Sequence, residues 1–479
     1  MAMTSQSSPP RNLEEENGGK SSITGERRRT RDGGWAWVVV LGSMLVFVLR
    51  QGVSKCPGVF LPILCAEFGT GEAEVGAVSS LFTTAGDFTG LVTGGLCRLI
   101  GYRTVAVIGG IMGASGIIAL FGVSTLAETG ICLVVSGVGF GMTYVSSLVI
   151  IPQYFDKYYG IANGITYSGS GLGIVIIPPL YQIFVDIYGW RGAFLLLGSL
   201  CLHSIVCAML FKPVKKESEE NEEKNPRTWR RRRNGKNGPA ASSSEGEYLL
   251  QEDDQGSATT PGSSGRISSM MTTIFSFLGL SIFLDLSTVL ILLAQFAGRF
   301  VFIGWLIFLI PHVIEKGFEP LDATFVASAG GISLVVFQLA HGLFIDKKWL
   351  TANQVLLIMS TIMATALLLD PVCTTYGTLM AGSVMVGAGA GAFFPASVTT
   401  LHSTVGPERF PNAVGWGYVF NGLGRTVSAY ATGRLFEVNG NYNSSFLMLG
   451  GVQLLVVLLM TSNLLYISCR SRRGQQERS

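Results

Sequence analysis

Five side chains carry charge inside stretches apolar and long enough to cross a bilayer: Arg50, Lys55, Asp87, Arg299 and Arg425. A charge at the centre of a span costs about 2.5–3.5 kcal/mol on insertion scales, so such residues usually face a bundle interior or a water-filled cavity and have a partner there. The chemistry open to guanidinium and ammonium groups in that setting is to hold an anion. Two alternatives stand beside it: Lys55 can snorkel to the outer interface, and Arg50 can be neutralised by an ion pair. The sequence carries no pairing of nucleophile and base and no nucleotide loop. The eight cysteines include no CxxC spacing and the four histidines are scattered, so an enzyme, a metal site and a cofactor are not expected.

The stretches that must position these charges dominate the chain. With 479 residues, 48% hydrophobic and only 14% charged, and a mean hydropathy of +0.45, the chain reads as a polytopic, all-α membrane protein. The first apolar stretch runs from Trp35 to about residue 64; further windows cover 74–99, 104–124, 130–152, 160–183 and 191–211. Six more lie near 287–310, 322–344, 352–369, 374–403, 411–435 and 444–467. The expected organisation is a tail (1–34), a six-helix bundle (35–211), a polar linker (212–270), a second bundle (271–467) and a short tail (468–479). The linker is too polar to fold and reads as disordered. The segment 270–285 reads as amphipathic, suited to lying along the membrane before the seventh span.

Glycine is abundant, at 61 residues, and recurs at four-residue spacing: Gly90 and Gly94, Gly109 and Gly113, Gly137 and Gly141, Gly169 and Gly173, Gly387 and Gly391. Small residues spaced this way let helix backbones approach closely. The short loops carrying Arg98, Arg103, Lys157, Lys347, Lys348 and Arg409 fall on the same side as both tails, which the positive-inside rule assigns to the cytoplasm. The balance of 34 basic against 31 acidic residues leaves +3 and points to no nucleic-acid partner. The bilayer is the partner that the composition demands.

Four motifs in order carry a resemblance. Asp32-Gly33-Gly34-Trp35-Ala36-Trp37 precedes the first span. Tyr154-Phe155-Asp156-Lys157 is followed by Ala162-Asn163-Gly164 at the fifth. Gly189-Trp190-Arg191-Gly192 opens the sixth, and Val405-Gly406-Pro407-Glu408-Arg409-Phe410 the eleventh. Together they resemble the monocarboxylate transporters of the major facilitator superfamily. Gly342-Leu-Phe-Ile-Asp346-Lys347 fits, and the stretch Gly95 to Arg103 partly fits, that superfamily's Gly-x-x-x-Asp-Arg/Lys loop motif, which implies a conformational latch. The resemblance also implies the major facilitator fold of twelve helices in two six-helix halves, a plasma-membrane location, and transport of small monocarboxylates or related organic anions by alternating access. Proton coupling and a single-pass immunoglobulin-like chaperone belong to the same family picture.

By this resemblance Lys55 stands where family members have a lysine that takes the proton and binds the carboxylate. The chain also departs from the family. The span-8 Asp and Arg of proton-coupled members are matched by Leu334 and Gln338, and a span-10 phenylalanine by Ala390, implying a roomier site. Arg50 and Arg299, on the first helix of each half, are expected to line the central cavity. Asp87 on span 2 and Arg425 on span 11 are expected to pair across the halves and to part as they rock. The expected substrate-binding residues are therefore Lys55, Arg50, Arg299 and Ala390, with Asp87, Arg425 and Lys55 in proton coupling or gating. A permanent structural pairing of Asp87 with one arginine is the plainer reading. A facilitative carrier of larger or zwitterionic solutes, or a non-transporting sensor or scaffold, are the alternatives for the whole chain.

Overall fold

The computed structural model describes residues 32–212 and 275–476. The expected linker, and all but the edge of the N-terminal tail, lie outside the described residues. Within them the regular structure is helical, with no strand.

Among the described residues nine stretches are long and apolar enough to cross a membrane by length and composition. Two of these are each a pair of helices joined at a glycine, and Glu72–Ile100 adds the span whose charged and small residues dilute its hydropathy, so the described residues make twelve crossings. Span 1 is Gly34–Val53 with Pro57–Phe68, span 2 Glu72–Ile100, span 3 Tyr102–Ala119 and span 4 Leu126–Tyr154. Spans 5 and 6 share Tyr159–Cys201, with His203–Met209 completing span 6. Span 7 is Leu286–Glu315, span 8 Pro320–Asp346 and span 9 Ala352–Leu369; spans 10 and 11 share Tyr376–Asn439, and span 12 is Tyr442–Gln476. The last helix thus runs past residue 467, where a tail was expected. An even number of crossings puts Gly34 and Gln476 on one face, called here the terminal face, with the distal face opposite.

The chain reverses between spans 5 and 6 and between spans 10 and 11 without a loop. Gly189 (φ 68°, ψ 171°) and Gly406 (φ 74°, ψ 170°) make these turns. A side chain cannot take that backbone conformation without strain, so the glycines of the third and fourth motifs are there for the turn itself. Other helix starts are fixed by side-chain caps: the Thr125 hydroxyl accepts from the Glu128 amide at 3.2 Å, and Thr351 and Gln354 form a reciprocal capping box.

The spaced glycines do what their spacing implied. Gly169 and Gly173 lie on the backbone of span 1 at Met44 and Val48; Gly137 and Gly141 lie on span 2 at Phe82 and Gly86; Gly387 and Gly391 lie on span 8 at Gly330 and Leu334. Gly90 and Gly94 meet Gly415 and Pro411 of span 11, which brings the two halves into backbone contact. One apolar core runs through the second half and takes in Phe47, Tyr144 and Tyr167 of the first.

Candidate functional site

Arg50, Asp87, Arg299 and Arg425 fall into one region, with Lys55 to one side of it, but not as a ring of equals. Asp87 is 1% exposed and holds two arginines. Arg50 Nη2 donates to its Oδ1 at 2.8 Å, and Arg425 Nη2 stands 3.2 Å from its Oδ2. The contact expected between Asp87 and Arg425 is present, and the ion-pair alternative for Arg50 is present with it. Arg50 is 4% exposed and lies over the ring of Tyr144, 4.3 Å from its centroid. In this conformation it is occupied and covered, so it does not face a cavity as expected. The reason is packing: Gly86 lies against span 4 at Gly137 with the Arg50 guanidinium beside it, which sets the arginine next to Asp87, one residue on.

Arg299 differs. Its guanidinium lies over the ring of Phe394, 3.9 Å from the centroid, and Nε donates to Asn421 Oδ1 at 3.2 Å. Among the described residues no carboxylate comes within ion-pair distance of it. It lines a small cavity with Phe394, Gln295, Tyr167, Tyr418 and Asn421, contributed by spans 5, 7, 10 and 11 and so by both halves. Gln295 Nε2 donates to Ser397 Oγ at 3.3 Å across this cavity wall. An arginine with a stacked aromatic face and one nitrogen fixed by an amide presents its remaining donors as a fork suited to a carboxylate.

Lys55 sits in the break between the two helices of span 1, ahead of Pro57, and is exposed. It lies within electrostatic reach of Arg425. It is therefore a cation on the distal approach to the arginines, in a span broken between Val53 and Pro57. Ala390 is 1% exposed in the core and lines no part of the Arg299 cavity. Its glycine neighbours Gly387 and Gly391 draw span 8 against span 10, covering a methyl group too short to reach past them. The span-10 residue that does face the arginine is Phe394, one helical turn on. Leu334 meets the backbone at Gly391, and Gln338 is buried beside span 5.

The signature residues build the terminal side. Asp32 accepts from the amides of Asp156, Lys157 and Tyr158, each at 3.3 Å, and its own amide donates to the Tyr154 carbonyl at 2.9 Å. Trp37 meets the ring of Phe155 edge-on at 5.1 Å. Trp35 Nε1 donates to the Leu210 carbonyl at 3.3 Å, and Gly33 offers its carbonyl to the Ala36 amide as Gly34 opens the helix. The first two motifs, far apart in sequence, are therefore one structural unit at the start of span 5. Asp346, the acid of the loop motif, reaches across from span 8 and accepts from the amides of Gly160 and Ile161, both at 2.8 Å. Carboxylates at a helix N-terminus satisfy orphan donors and complement the dipole. One turn deeper, Asn163 Nδ2 donates to the Pro395 carbonyl at 2.8 Å and to Thr399 Oγ1 at 3.1 Å, and Gly164 lies on the Gln338 carbonyl. Beyond Asp87 and Arg425, toward the distal face, no hydrogen bond or ion pair among the described residues joins the halves.

Sequence reasoning missed the tyrosines. Tyr144 stacks on Phe47 at 4.0 Å and meets Tyr418 of the other half at 5.1 Å, so this aromatic wall runs from Arg50 to the Arg299 cavity. Single aromatic residues in apolar helices gave no signal that distinguished wall from core. Asn421 was visible only as a polar residue suited to interhelical bonding.

The sequence profile of the Major Facilitator Superfamily matches residues 43–372. Monocarboxylate transporter 1 of Mus musculus is 28% identical over 443 residues, covering 91% of this chain and 85% of that protein. Monocarboxylate transporter 13 of Rattus norvegicus is 26% identical, covering 88% of each. Among solved structures, the Major Facilitator Superfamily transporter FucP in its outward conformation aligns with a TM-score of 0.63 at 11% identity, covering 90% of this chain and 99% of that one. The human organic anion transporter MFSD10 aligns with a TM-score of 0.62 at 14% identity, covering 89% and 99%. These relatives are transporters and not enzymes, and the resemblance carried by the four motifs is borne out along nearly the whole chain. The chain belongs to the Major Facilitator Superfamily.

Proposed function

We propose that this protein is a secondary transporter that moves a small monocarboxylate or related organic anion across the plasma membrane by alternating access, with the terminal face in the cytoplasm. The observation that carries the anion reading is Arg299: a cation in a cavity shared by both halves, with no acidic partner among the described residues. Leaving such a charge uncompensated is costly unless something negative visits it. The names of the relatives, monocarboxylate transporters 1 and 13, support the same substrate class.

In this reading the protein is closed at the terminal side by Asp346, Asn163 and the glycine seam of spans 2 and 11, and an anion enters past Lys55 from the distal side. Its carboxylate docks on Arg299. The neighbouring Arg425 is drawn toward the new negative charge and away from Asp87, which keeps Arg50; that exchange loosens a contact joining the halves. A ligand shifts a conformational equilibrium only by its differential affinity for the two states, and this exchange is where the difference would arise. Asp87 and Lys55 are the groups placed to carry a coupled proton, while the absence of the span-8 acid and arginine favours facilitated diffusion or exchange.

The test is uptake into proteoliposomes of labelled monocarboxylates, dicarboxylates and zwitterionic amino acids, with and without a pH gradient. Saturable monocarboxylate uptake that disappears in Arg299→Gln is expected. Uptake of zwitterions alone, or undiminished uptake in that variant, overturns the reading; dependence on the gradient favours Asp87 or Lys55 as the proton site.

A further inference from the structure

The two loop positions that face each other across the superfamily's internal symmetry carry opposite charge here. Four residues after Gly342 stands Asp346, whereas four residues after Gly94, the glycine directly before the partly fitting stretch Gly95 to Arg103, stands Arg98. Asp346 does what a carboxylate can do, accepting from the free amides at the start of span 5. A guanidinium cannot cap a helix N-terminus. It can only serve carbonyls, which are the unsatisfied groups of a helix C-terminus.

Such an end lies beside it. Residues 275–278 form a turn of helix that stops at Gly279, whose φ of 63° is the left-handed conformation that closes helices. Its last carbonyls are taken by both halves. Arg98 Nη2, on span 2, donates to the Ser276 carbonyl at 2.9 Å and to that of Phe277 at 3.1 Å. From span 11, Asn412 Nδ2 donates to the Phe277 carbonyl at 3.0 Å and Trp416 Nε1 to that of Leu278 at 3.0 Å. The Phe277 ring fills the space over Gly95, where even a methyl group would collide with it at 2.6 Å, and Phe283 meets Trp416 edge-on at 4.8 Å. The described part of this segment crosses the terminal end of the seam where Gly94 meets Pro411.

We infer that the turn of helix at 275–278 is a bolt across spans 2 and 11, held by Arg98 on one side and by Asn412 and Trp416 on the other, and that it replaces the carboxylate latch missing from the span 2–3 loop. Opening the terminal side separates spans 2 and 11, so the bolt must leave one of them. The donors divide unequally by chemistry: the bonds from Arg98 are charge-assisted, whereas those from Asn412 and Trp416 are neutral but backed by ring packing. Because Phe277 leads within ten residues into span 7, the helix that carries Arg299, the bolt joins the seam to the anion site through one short connection. The inference rests on the alternating-access reading given above.

The experiment measures the distance between spin labels on the full chain in lipid, at Leu99→Cys on span 2 and Glu408→Cys at the start of span 11, with Cys65, Cys132, Cys373 and Cys469 replaced by serine. Arg98→Ala is expected to raise the ratio of terminal-open to terminal-closed molecules by about tenfold, the shift that loss of hydrogen bonds from a charged donor produces, with Arg98→Lys in between; Phe277→Ala keeps the backbone carbonyls but removes the ring packed over Gly95, and is expected to shift the ratio the same way. Asp346→Asn is the comparator and shifts the ratio the same way. If Asp346→Asn opens the terminal side while Phe277→Ala and Arg98→Ala leave the distribution unchanged, the bolt is refuted and alternating access stands. If no variant and no anion produces a second distance, both fail. A melting temperature for each variant separates a shifted equilibrium from a misfolded protein.

Discussion

Arg50 and Arg299 sit near the middle of the first span of each half, and each lies over an aromatic ring: Tyr144 for the first, Phe394 for the second. Their surroundings otherwise diverge. Arg50 is bonded to a buried aspartate at 2.8 Å, whereas Arg299 has only an amide oxygen at 3.2 Å. Equivalent placement thus leaves one arginine paired with a carboxylate and the other, among the described residues, without one. What distinguishes them is a single carboxylate on span 2, since an arginine whose charge is already matched gains little from a second anion while an unmatched one gains much. The electrostatic asymmetry between the halves, more than the count of cations, is what the site reading depends on.

That comparison can be broken most forcefully at Asp87. Asp87→Asn leaves both Arg50 and Arg425 without a counter-charge, and removal of one partner from a buried pair costs about 3–5 kcal/mol. Thermal melting in detergent should show a marked loss of stability, with part of it recovered in the double variant Asp87→Asn/Arg50→Gln. Equal instability of single and double variants would show that the pairing carries no such weight.

Next in size, the two arginines should respond oppositely to the same substitution. Arg50→Gln lowers melting temperature, because Asp87 keeps only Arg425. Arg299→Gln leaves it unchanged or raises it, yet weakens anion binding by tenfold or more, on the order of the 2–5 kcal/mol lost when a buried charge pair loses one member. Matching stability losses in the two variants would erase the distinction.

Smaller again is Asn421→Ala, which frees Arg299 Nε. Apparent affinity should fall by about tenfold, for a hydrogen bond to a charged group worth about 1.5–3 kcal/mol at most, with little change in melting. The least effect is expected at the rings: Tyr144→Leu and Phe394→Leu each remove a cation–π contact of about 0.5–2 kcal/mol. The first should appear in melting temperature and the second in apparent affinity, and a swap of those readouts would contradict the division of labour.

The sequence carried much of this at the level of inventory. Twelve apolar stretches fixed the crossings to within a few residues, because hydrophobic length is a local property. The glycine pairs announced close helix contacts, and each pair meets a single partner helix as the spacing requires. The loop acid Asp346 was legible by its motif. Which side of span 1 bears Arg50, and hence which arginine Asp87 reaches besides Arg425, was not: helix rotation is set by packing against neighbours, and the charges themselves look alike in a string. Ala390 illustrates the same gap, placed by alignment in the site and by packing in the core. The break at Lys55 was not legible either: a proline such as Pro57 near a span's middle is compatible with a kinked helix as well as an interrupted one.

The sequence by itself determined that this chain crosses the membrane in two sets of six helices, that its helices pack on glycine, and that five ionisable groups had to be reconciled with lipid. Only the tertiary structure decided how: it gave Asp87 to Arg50 and Arg425, and left Arg299 facing a cavity. Hydropathy and small-residue spacing act over one or two turns and are written along the chain. Charge compensation acts over about 3 Å between helices distant in sequence, and is fixed only when those helices have chosen the faces they turn to one another.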